Sequence, residues 1–109
     1  SMRLRKSWEF KSVKKKGVKH MGSNFWLQIA FDNEDKQIPK LGIITSRRFG
    51  NAVNRNKSKR LIREIFRKNI KSFPMGSKSV FIPKPKMLLK SFKSIEREIL
   101  TAVSNTISK

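Results

Sequence analysis

Apolar positions along the chain follow two different periods. In Phe25-Trp26-Leu27-Gln28-Ile29-Ala30-Phe31 they alternate, with Phe25, Leu27, Ile29 and Phe31 on one face and Trp26, Gln28 and Ala30 on the other. That is the signature of a strand. A second strand is predicted from about Leu41 to Arg47, with Leu41, Ile43 and Thr45 on one side and Gly42, Ile44, Ser46 and Arg48 opposite. The turn Asp32 to Lys36 precedes it, so the two strands are expected to form a hairpin or lie side by side. Ser79 to Ile82 reads as a short third strand, stopped by Pro83-Lys84-Pro85 because proline cannot donate to a ladder.

Elsewhere the period lengthens to that of a helix. At about 100° per residue, Leu61, Ile62, Ile65 and Phe66 share one side. Gly50 breaks the β-like run before them, and Asn51 or Asn54 can cap the helix. A last helix starts near Ser91 with the stripe Phe92, Ile95, Ile99, Val103 and Ile107. Near the N-terminus Ser7 can cap a short helix with Glu9 in its first turn. Phe10 and Val13 share a face of it, Trp8 does not, and Lys14-Lys15-Lys16-Gly17 ends it. Val18 to Ser23 reads as loop and Phe73 to Ser77 as a turn. The order α-β-β-α-β-α predicts a single α+β layered domain over residues 1–109. Arg3 to Lys6 is a basic leader expected to be mobile, and Ser1 before Met2 reads as an expression scar.

Charge changes the reading of the central helix. Asn56, Lys59, Arg60, Arg63 and Arg67 fall in an arc of roughly 100° opposite its apolar side. Lys and Arg on the outside of a helix usually form only a solvated face. From Arg47 to Arg63, however, there are seven basic residues and no acid. Such a stripe needs an anion to face. The whole chain carries 27 basic and 7 acidic residues, a net charge of +20. A polyanionic partner follows, nucleic acid before anionic membrane. A membrane-surface protein would need apolar residues beside the stripe, whereas here they lie opposite it and serve the core.

The remaining composition narrows the classes. No cysteine is present, which excludes disulfides and thiolate metal sites and fits a reducing, cytoplasmic compartment. No apolar run approaches the roughly 20 residues of a membrane span, and no signal-peptide core is visible. The carboxylates are scattered and His20 is the only histidine, so a protein-only, metal-dependent nuclease lacks its ligands. Gly50 belongs to no phosphate loop, and the basic helix has no preceding helix at helix-turn-helix spacing. RNA binding takes support from several features together. Arg offers bidentate phosphate contacts, Asn51 and Asn56 offer neutral donors and acceptors, and Trp26 offers a stacking surface. Trp26 can equally be second-face core beneath a helix.

The central stretch resembles a known signature. Gly50-Asn51-Ala52-Val53, Arg55-Asn56, Lys59-Arg60, Arg63-Glu64 and Phe66-Arg67 are similar to the motif of the protein subunit of bacterial ribonuclease P. Arg3-Leu4 with Phe10 and Val13 resembles that family's first helix, Gly42 with Ser46-Arg47-Arg48 its central strand, and Lys84-Pro85 the end of its last strand. The resemblance implies an α-β-β-β-α-β-α fold with a left-handed β-α-β crossover, against the usual right-handed rule. It implies a large catalytic RNA subunit and precursor tRNA as partners, with no protein partner or membrane. The RNA with Mg2+ would remove the 5′ leader, and no protein side chain would be catalytic. Carried over, Arg48, Asn51, Arg55, Asn56, Lys59, Arg60, Arg63 and Arg67 would face RNA. Phe10, Val13, Lys14, Trp26 and Gln28 would line a cleft for the single-stranded leader. Lys14 and Gln28 stand where relatives often carry aromatics, which implies a more polar cleft. A ribosomal or other structural RNA-binding protein is the alternative reading.

Overall fold

The computed structural model describes residues 18–31, 38–45 and 50–107. The expected first helix with Phe10, Val13 and Lys14, the Asp32 to Lys36 turn, and Arg48 lie outside the described residues. The elements are strands β1 (Val18–Met21), β2 (Phe25–Phe31) and β3 (Lys40–Ile43), helix α1 (Ala52–Lys68), strand β4 (Ser77–Pro83) and helix α2 (Phe92–Ile107). Short 3-10 turns at Ile70–Ser72 and Pro85–Leu89 follow α1 and β4.

The four strands stand in the order β1-β2-β4-β3. Two expectations are corrected here. The segment from Val18, expected as loop, contributes an edge strand antiparallel to β2, with Val18 opposite Ile29 and His20 opposite Leu27. Edge strands tolerate charged residues, and Lys19 beside His20 hides the alternation in so short a run. Strands β2 and β3 are not neighbours either, because β4 lies between them, antiparallel to β2 and parallel to β3. The central place suits β4, whose Ser79, Val80 and Phe81 are all buried and so fill both faces. Chain order alone could not show this, since the parallel β3-α1-β4 unit brings β4 back across the sheet. The third strand of the implied family fold is thus β1.

One face of the sheet carries the core. Phe25, Leu27, Ile29, Leu41 and Phe81 from the strands pack with Ile62, Ile65 and Phe66 from α1 and Ile95, Ile99, Ala102 and Val103 from α2. Helix α2 lies against β1 and β2, and α1 against β3 and the Pro85–Leu89 turn, whose Met87 is fully buried. Each large apolar side chain so enclosed contributes about 1.5–3 kcal/mol. On the opposite face a small second cluster forms around Val80, with Ala30, Ile44 and Ile82 against it.

Candidate nucleic-acid interface

Helix α1 starts where the sequence places it. Gly50 has φ of 113°, a conformation that costs glycine little and other residues much. Asn51 follows as the cap, its Oδ1 accepting from the Asn54 backbone N–H at 2.9 Å. Ser58 turns its hydroxyl back onto the Arg55 carbonyl at 2.7 Å, which lets a small polar residue sit in the buried side with Ile62, Ile65 and Phe66. The Phe66 ring meets Phe73 at 4.6 Å between centroids. These contacts fix the rotation of the helix about its axis and hence the direction of the opposite side.

That opposite side is basic. Asn56, Arg60 and Arg67 are exposed there and Lys59 and Arg63 half-buried, while exposed Asn51 and half-buried Arg55 stand at the helix start, Arg55 at the azimuth of Ile62 and Phe66. Within α1 seven Lys and Arg side chains accompany a single acid, Glu64. At 1.5 Å rise per residue the stretch from Asn51 to Arg67 spans about 24 Å, enough to meet several successive phosphates. At the far end Asn69 joins the two helices, donating from Nδ2 to the Ile65 carbonyl and to Glu96 Oε2, each at 2.9 Å. That hydrogen bond, with Lys68 Nζ 3.4 Å away, holds the Glu96 carboxyl below its ordinary range against the effect of burial. Glu96 thus faces the helix junction.

A second surface lies on the sheet face turned away from the helices. Strand pairing sets its side chains in rows. Met21, Trp26 and Ile82 form one row across β1, β2 and β4, and Lys19, Gln28 and Val80 form the next. Between them is a pocket of about 270 Å³, lined by Lys19, Met21, Trp26, Gln28 and Ile82 of these rows together with His20 and Leu27. Trp26 is 40% exposed, so its indole is an open platform. Lys84 Nζ sits 5.4 Å from the indole centroid and donates to the Gly22 carbonyl at 3.3 Å. Gln28 is only 6% exposed, and its Nε2 has no hydrogen-bond partner among the described residues. A buried donor left unpaired costs about 1–3 kcal/mol. A larger, shallower depression of about 530 Å³ runs along α2 from Lys93 to Asn105, and among the described residues it is lined by that helix alone.

Of the residues singled out from sequence, Asn51, Arg55, Asn56, Lys59, Arg60, Arg63 and Arg67 come together on α1, and Trp26 and Gln28 on the outer sheet face. Lys19, Met21, Ile82 and Lys84 were missed as neighbours of Trp26. The signal that would have found them is the β1-β2-β4 register, which local alternation does not contain.

Comparison with known proteins places this geometry. The Ribonuclease P family model matches residues 1–106. The ribonuclease P protein component of Petrotoga mobilis is 44% identical over 94 residues, covering 86% of this chain and 77% of the relative. That of Finegoldia magna is 35% identical over 100 residues, covering 92% of this chain and 86% of the relative. Among solved structures, the RNase P protein of Thermotoga maritima superposes with a TM-score of 0.81 at 30% identity, covering 96% of this chain and 97% of that one. The RNase P protein of Staphylococcus aureus gives 0.80 at 28% identity, over 100% of this chain and 96% of that one. With a basic α1 and an open sheet face of the same fold, the chain belongs to the ribonuclease P protein family.

Proposed function

We propose that the chain is the protein subunit of a ribonuclease P holoenzyme that removes the 5′ leader from precursor tRNA. The observation that carries this reading is the α1 surface, whose apolar side is consumed by the core while its basic side faces outward within a family-specific motif. That side docks on the catalytic RNA subunit through phosphate contacts. The outer face of β1, β2 and β4 takes the single-stranded leader, bases against Trp26 and Met21, phosphates near Lys19 and Lys84. Among the described residues no three His, Cys, Asp or Glu side chains group closely enough to hold a metal ion. Hydrolysis is assigned to the RNA and the Mg2+ it binds, as the family resemblance implies. No helix among the described residues is long and apolar enough to cross a membrane.

Two measurements test this. The purified protein should not cleave precursor tRNA alone at physiological salt and Mg2+, and should accelerate cleavage when added to the catalytic RNA subunit. Efficient cleavage by the RNA-free protein would sink the assignment. Trp26→Ala should weaken holoenzyme binding to leader-bearing substrate by about 1–3 kcal/mol if one base stacks there. Binding of mature tRNA, which has no leader, should hardly change. An unchanged ratio of the two affinities, with the variant still folded, would remove the leader from this face.

A further inference from the structure

Leu89, 84% exposed, is the most open large apolar side chain among the described residues. A lone leucine at a surface is ordinary. What sets Leu89 apart is the stiffness of its support and the charge around it. It ends the 3-10 turn Pro85–Leu89, which opens on a proline that fixes the backbone φ. The Met87 N–H donates to the Lys84 carbonyl at 3.0 Å, and the Lys90 N–H to the Met87 carbonyl at 3.2 Å. Met87 itself is enclosed in the core, and the turn packs on α1. The turn is therefore anchored at its centre while its end stands in solvent. Side chains three apart in a 3-10 turn eclipse one another, which sets Lys86 over Leu89. Both are exposed, as is Lys90 just beyond them. From Lys84 to Ile95 the chain has four lysines and no acid. The next two carboxylates are engaged elsewhere: Glu96 by Asn69 and Lys68 at the α1 junction, and Glu98 by Asn24 Nδ2 at 2.8 Å.

We propose that the Pro85–Leu89 turn is a second RNA contact, with Leu89 seated in the minor groove of a duplex segment of the catalytic RNA and Lys86 and Lys90 on the flanking phosphates. The inference rests on the holoenzyme reading above and adds a contact outside the α1 stripe and away from the outer sheet face. The chemistry selects the groove. An A-form helix has a deep, narrow major groove that side chains cannot read and a wide, shallow minor groove lined by ribose. A short apolar tip fits the shallow groove, where it covers sugar carbons without asking for a particular base. The lysines on either side meet the two phosphate rims as point charges and release their counterions. Recognition is thus of duplex shape and charge, independent of sequence. Position supports the same partner. The turn packs on α1, and α2 begins beside the end of α1, where Lys68 Nζ lies 5.5 Å from the Phe92 ring. RNA docked along α1 therefore passes close to the tip. A lipid surface is the poorer match, because a single leucine buries too little apolar area to hold the protein there.

The test uses the full chain and its catalytic RNA subunit, with filter binding over a KCl series and hydroxyl-radical footprints of the complex. Leu89→Ala should weaken binding about three- to tenfold, the worth of partly burying a leucine, and leave the salt slope unchanged. Lys86→Ala combined with Lys90→Ala should make the slope shallower by about 1.4–1.8, the share of two phosphate contacts. In the triple variant the protection of one duplex minor-groove segment should disappear, while protection that depends on Arg60 stays. Thermal melts check folding. If Leu89→Ala loosens the turn, Leu89→Gln, of similar size but polar, decides by the same loss of affinity. The proposal is overturned if the folded variants bind and protect the RNA as wild type does, or if the protection they lose lies only in unpaired nucleotides. It is equally overturned if RNA binding is intact and the variants instead lose binding to vesicles of anionic lipid. Arg60→Ala separates this outcome from failure of the holoenzyme reading. Silent tip variants beside a weakened Arg60→Ala sink the second contact alone, whereas RNA affinity unchanged in all of them sinks the reading on which it rests.

Discussion

Replacing Ile65 with alanine should destabilise the protein by about 2–5 kcal/mol, while Arg60→Ala and Arg67→Ala leave the melting temperature nearly unchanged. Ile65 is fully buried in the cluster that joins α1 to the sheet and α2. Its truncation removes transfer free energy and leaves a cavity whose walls are strands and a second helix, which cannot close on it. Arg60 and Arg67 are exposed on the other side of the same helix. In a chain of charge +20, removing an exposed cation relieves repulsion as readily as it loses attraction. RNA affinity should respond in the opposite order. Each arginine variant should weaken binding to the catalytic RNA by about 1–3 kcal/mol, the cost of one charge-assisted contact. Ile65→Ala should weaken it only as far as the protein unfolds. Thermal melts and filter-binding on the same three variants settle the matter: unfolded arginine variants beside a stable Ile65→Ala would mean that the two faces of α1 are exchanged.

How much of this was readable in advance depends on how far each interaction reaches along the chain. The α1 faces were readable because a helix writes its environment into positions three and four apart, and the Asn51 cap into a contact spanning three residues. The α2 stripe from Phe92 and the alternation of β2 are equally local. Strand order was not local. Nothing within Leu41 to Ile43 or Val80 to Phe81 says that these segments pair in parallel, because α1 separates them and the pairing is decided by which strand is apolar on both faces. The same reason hid β1, whose Lys19 and His20 suit an edge and resemble a loop.

The candidate site divides along the same line. The basic stripe sits on one helix and could be read from it. The sheet-face pocket is assembled from β1, β2 and β4, so Trp26 was visible as a possible stacking surface but its neighbours Met21, Ile82 and Lys84 were not. Gln28 illustrates the limit. Alternation places it beside Trp26 on the outer face, yet Trp26 is open to solvent and Gln28 is buried, its donor unpaired among the described residues. Only packing from neighbouring strands distinguishes the two.

Affinity for the catalytic RNA should fall about a thousandfold to ten-thousandfold between 50 and 200 mM monovalent salt at constant Mg2+. Helix α1 carries seven basic side chains, and six to eight phosphate contacts release enough condensed counterions to give a log–log slope of about −5 to −7. The magnitude of the slope counts contacts, so it tests the surface directly and does not depend on the absolute affinity. Arg60→Ala and Arg67→Ala should each make the slope shallower by about 0.7–0.9, the share of one phosphate contact. Trp26→Ala should leave the slope for the RNA subunit unchanged, since an indole releases no counterion and lies on another face. A titration over KCl gives all four slopes under one set of conditions. A wild-type slope near −1 would show that the α1 stripe does not meet the RNA. Slopes that stay steep and equal in both arginine variants would move the contact to another of the chain's basic surfaces.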